Sequence, residues 1–75
     1  MMISYNSKLI GLAQIDNIMI KNELIANEVL IHSSKENTLD ELTLTFDNKS
    51  SISKILLAID ELKTTSGINE ITTRM

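Results

Sequence analysis

Hydrophobic and polar residues alternate between Leu42 and Phe46, with Leu42, Leu44 and Phe46 on one side and Thr43 and Thr45 on the other. This two-residue period predicts a strand over about 41–47 with one apolar face. The period changes at Ile52. Ile52, Ile55, Leu56, Ile59 and Leu62 recur at helical spacing, which predicts an amphipathic helix over 51–65 with that stripe turned to a core. On this pattern Leu56 is a core residue. Leu57 falls on the opposite side, among Ser53, Lys54, Asp60, Glu61 and Thr64. A strand with one apolar face followed by a helix with one apolar side is the smallest unit of a packed α+β domain.

The first half of the chain is less regular. From Leu9 to Ile20 the apolar residues fall all round a helical wheel and leave no clean stripe. The β-branched content and Asn17, Asn22 and Asn27 favour strands and turns. Strands are therefore expected at about 2–6, 12–20 and 25–32, although Glu23, Leu24, Ala26, Glu28 and Leu30 are also good helix formers. A short final strand is expected at 69–74. The polar segment Ser33–Asp40 reads as a loop. Ser50 or Ser51 can cap the first turn of the helix. Gly67 fits a left-handed position after its last turn, with Ile68 folding back on Leu62 or Lys63. The expected architecture is α+β: a small antiparallel sheet of three to five strands with one amphipathic helix packed on one face.

Composition narrows the classes. Seventy-five residues make a single domain, 1–75, and 43% hydrophobic against 23% charged is a globular balance. No cysteine is present, so neither a disulfide framework nor a thiolate metal site is available. The start, Met1-Met2-Ile3-Ser4-Tyr5, lacks a basic region followed by a long apolar core, so no export signal is read and a cytoplasmic location is expected. The longest apolar runs are five residues, Leu9–Ala13 and Ile55–Ile59. A membrane span needs about 20, so no membrane segment is expected.

Net charge is −3, and the seven cations are scattered. Nucleic-acid binding needs a basic stripe to neutralise phosphates. The only aromatics, Tyr5 and Phe46, make no stacking platform. Direct nucleic-acid binding is not expected. The strand–helix order resembles the opening of ribbon-helix-helix DNA-binding proteins. Only Gly67–Met75 remains for their second helix, and the outward strand residues are Thr43 and Thr45, so no family is assigned.

Candidate chemistry is sparse. His32 is the only histidine. As a general base it would need Ser33, Ser34 or another serine as nucleophile and an aspartate such as Asp40 or Asp47 as orienting group. No nucleophile elbow or glycine-rich loop accompanies it. The acidic pairs Asp40-Glu41 and Asp60-Glu61 lack the spacing of a hard-cation loop, and Asp60 and Glu61 are expected on the solvent side of the helix. Asp47-Asn48-Lys49-Ser50 reads as a turn. No catalytic residue, metal ligand or cofactor site is expected.

The apolar triplets Ile18-Met19-Ile20 and Val29-Leu30-Ile31 would, as strands, put hydrophobic side chains on both faces of the sheet. One helix covers one face, so the second must meet another chain or stay exposed. Met19, Leu30 and Leu57 are the candidate contact residues, with a protein partner or a second copy, as a homodimer, as occupant. These features favour a small non-enzymatic regulator or inhibitor that occupies a surface of its target. The richness in Ile, Asn, Lys, Ser and Thr resembles products of AT-rich genomes, phages and mobile elements among them. A structural subunit of a homo-oligomeric assembly is the alternative reading. An acidic nucleic-acid mimic is a weaker one, because −3 is a thin charge for imitating a phosphate backbone.

Overall fold

The computed structural model of the protein describes residues 1–33, 39–47 and 49–73. Six elements follow in order: β1 (Met2–Asn6), α1 (Leu12–Lys21), β2 (Ala26–His32), β3 (Leu39–Phe46), α2 (Ile52–Lys63) and β4 (Ile68–Thr72). The strands form one four-stranded sheet in the order β2-β3-β1-β4, and every neighbouring pair is antiparallel. Two βαβ units are thus interleaved, each split by a strand of the other. This is the split βαβ arrangement of ferredoxin-like folds. The α+β expectation holds, with two helices where one was expected.

The pairing fixes the faces. Ile3 lies opposite Leu42 and Ile71, and Val29 and Ile31 lie opposite Leu44 and Leu42. Those residues share the helix side of the sheet. There Ile3, Tyr5, Leu42 and Leu44 join Ile15 and Met19 of α1 and Ala58 and Leu62 of α2 in the buried core. Each large aliphatic side chain buried this way contributes about 1.5–3 kcal/mol. The other face carries Ser4, Glu28, His32, Glu41, Thr43, Thr45, Glu70 and Thr72, with Met2, Leu30 and Leu39 as its apolar members. The second sheet face is therefore mostly polar and needs no cover along its whole width.

Four expectations are corrected. Residues 12–20 are helical rather than a strand, and Met19 and Ile18 accordingly sit on a helix. Gly11 precedes α1 in extended geometry, and the Gln14 side chain accepts a hydrogen bond from its N–H at 2.9 Å. Asn17 and Asn22, expected to favour strands and turns, are the sixth residue and the C-cap of this helix. Asn22 donates from Nδ2 to the Ile18 carbonyl at 2.8 Å. The chain then leaves by a Schellman closure, in which the Glu23 N–H reaches the Ile20 carbonyl and the Leu24 N–H the Met19 carbonyl. Glu23 takes the position usually held by glycine, at φ 60°.

Secondly, α2 does not end on Gly67. It stops at Lys63, where the Thr64 and Thr65 hydroxyls donate to the Glu61 carbonyl at 2.9 and 2.8 Å. Gly67 does carry a positive φ, 97°, but in the turn that the Ile68 N–H closes on the Thr65 carbonyl. Positive φ at the third residue is what a type II turn requires. At the other end Ser51 is the N-cap, without a side-chain hydrogen bond. Thirdly, Leu56 is 46% exposed and Ile52 59%, so the buried side of α2 is Ala58, Ile59 and Leu62. Fourthly, Glu61 is half-buried and pairs with Lys21 of α1 at 3.3 Å, rather than lying free on the solvent side. The loop expected over Ser33–Asp40 and the end of the final strand fall partly outside the described residues, at 34–38 and 74.

Candidate functional site

α1 and α2 are joined along one side. Lys54 and Glu61 on α2 flank Ala58, which is fully buried. Glu61 meets Lys21, and Lys54 pairs with Glu23 just past the end of α1. The Glu23 carboxyl is held below the usual carboxylate range by the hydrogen bond from Lys54 and by its charge. Both pairs lie largely in water, where an ion pair adds little to stability. They fix which way α1 leans more than how stable it is.

With α1 against α2, the β2 side of the sheet is left open. Every residue of β2 except Ala26 is exposed. The result is a groove of about 900 Å³. One wall is α1, through Leu12, Asp16, Met19 and Ile20. The floor is Val29 and Ile31 of β2 with Leu42, Leu44 and Phe46 of β3, and Leu24, Ile25 and Ala26 close one end. Asp16 and Glu23 are the only charged groups among the lining residues. An open apolar trough with two carboxylates in its lining offers shape and burial to a ligand.

The three contact residues expected from sequence are not brought together. Leu30 is 58% exposed on the polar face of the sheet and Leu57 60% exposed on α2, so they stand on opposite sides of the molecule. Met19 is buried in the core and meets the groove only at its wall. Leu12 and Ile25, both at the groove, were not singled out from sequence. The signal for Leu12 was the apolar pattern running all round residues 9–20, which a helix with a core side and a groove side produces.

The other candidates are dispersed. His32 is exposed and lies opposite Glu41, while Asp40 lies opposite Tyr5 on the helix side of the sheet. Asp47 accepts a hydrogen bond from the Lys49 N–H at 3.1 Å, which is turn chemistry. Burial, and then the charge of Asp40, push the Tyr5 phenol above its usual range. Among the described residues no three His, Asp or Glu side chains converge, and no helix is long and apolar enough to cross a membrane. Compared with family models, curated proteins and solved structures, the chain matches none.

Proposed function

We propose that this protein is a regulator or inhibitor without catalytic activity of its own, which acts by seating an apolar segment of a target protein in the groove between α1 and β2–β3. The observation that carries this reading is the exposed aliphatic lining. Ile20, Ile25, Val29 and Ile31 are 59%, 80%, 52% and 53% exposed, and all four line one groove. Lone exposed aliphatics are ordinary, whereas a contiguous set marks a contact surface. The lining calls for aliphatic side chains from the target, with a basic residue suited to Asp16 at the rim. Composition favours a phage or mobile-element setting for such a protein. A nucleic-acid mimic fits less well, because the groove presents hydrocarbon where a mimic presents ordered charge.

The test is a photo-crosslinking residue in place of Ile25, used in native host cells. It should capture one protein, and Ile20→Glu or Val29→Glu should abolish the capture with the circular dichroism unchanged. Capture that survives both substitutions would overturn the groove as the contact surface.

A further inference from the structure

The two edges of the sheet are built differently. β4 shows Asn69, Glu70 and Thr72 to solvent, the polar dressing that keeps an edge strand from pairing. β2 shows Val29, Leu30 and Ile31, each more than half exposed. It contains no lysine or proline, and among the described residues it pairs with β3 alone. Its one irregularity is a register shift between Ala26 and Glu28, after which Glu28–His32 pairs regularly with β3. A regular, apolar, five-residue edge is a template for another strand.

We propose that the occupant is a second copy of this chain, paired antiparallel β2 to β2 about a two-fold axis at Leu30. The proposal rests on the reading of the β2 side as a protein-contact surface and names the partner there. The register follows from symmetry and charge. An axis that makes two edges antiparallel stands normal to the sheet, so each face stays on its own side and only residues of the same face come opposite. Centring on Val29 would set Leu30 against Glu28 of the second copy, and centring on Ile31 would set Leu30 against His32. Centring on Leu30 puts Leu30 against itself, Val29 against Ile31, and the Glu28 carboxylate against the His32 imidazole. It also uses the whole regular stretch. His32 then lies between Glu41 of its own β3 and Glu28 of the other copy, an N–H donor between two acceptors. The two four-stranded sheets become one continuous sheet. The two grooves remain on its helix side, next to each other across the axis.

Sedimentation of the full chain over a concentration series, with circular dichroism as the folding control, tests this. The unaltered protein should dimerise. Glu28→Lys and His32→Glu should each weaken the dimer by roughly tenfold, because each cross-strand pair occurs twice across the axis. The double variant E28K/H32E should restore most of the affinity, since it sets a lysine of each copy against a glutamate of the other. Both positions of change are exposed, so the monomer stays folded. A monomer at every concentration, or a double variant as weak as the singles, would overturn the self-pairing. The groove reading fails separately: it is decided by Ile20→Glu, which lies on α1 away from the β2 edge and should leave the dimer intact.

Discussion

Gly67 and Glu23 both hold positive φ, at 97° and 60°, yet they answer oppositely to the question of a side chain. A Cβ on Gly67 would stand 2.8 Å from Ile10 Cγ2 and 3.1 Å from Leu9 Cβ, inside the contact between the first loop and the β4 turn. Gly67→Ala should therefore cost roughly 2–4 kcal/mol, conformational strain and overpacking together. At Glu23 the strained conformation is already occupied by a residue with a Cβ. Glu23→Gly should raise the thermal midpoint, because the exposed Lys54 pair it gives up is a small loss. Melting curves of both variants check this pair. Tyr5 is the only tyrosine, so its ionisation can be followed by absorbance. Its folded-state pKa lies above the usual value of about 10, so the folded protein holds the proton more tightly than the unfolded chain. Its contribution is fully present below the ordinary tyrosine pKa and is lost as pH rises beyond it. Phenolate absorbance should appear late, together with loss of helical signal, and Asp40→Asn should bring it earlier.

At the scale of elements, α2 divides its aliphatic residues between core and solvent. Leu62 is fully buried and Leu56 is 46% exposed. Leu62→Ala should cost about 2–5 kcal/mol and Leu56→Ala about 1 kcal/mol or less, read by denaturant unfolding. The β3–α2 unit was legible because its period switches once, at a turn made by Asp47, whose carbonyl takes the Ser50 N–H at 2.9 Å. α1 was not legible, and the reason is physical. Ile15 and Met19 face the core while Leu12 and Ile20 face the groove, so its apolar positions spread round the axis and erase the stripe. Asn22 looked like a break and is a cap. The groove and the illegibility of α1 have one origin. Along β2 the sequence pattern was right about the strand and right that two sides carry hydrocarbon, but residue order alone could not show that β2 lies at an edge.

At the scale of the whole molecule, the order of strands in the sheet differs from their order in the chain. β1 lies between β3 and β4, with Met2 opposite both Thr43 and Thr72. On the ribosome β1 is made before both of its neighbours, and β4 is the last of the four strands to follow. Closing such a distant pairing carries a loop entropy that only the finished core repays. Until Ile68–Thr72 has emerged, β1 has one bare flank, while among the described residues β2 pairs with β3 alone. Unpaired strand edges of this kind are aggregation-prone while folding is incomplete. The sheet's wiring therefore makes the interval between the emergence of β1 and that of β4 the period in which correct pairing and aggregation compete.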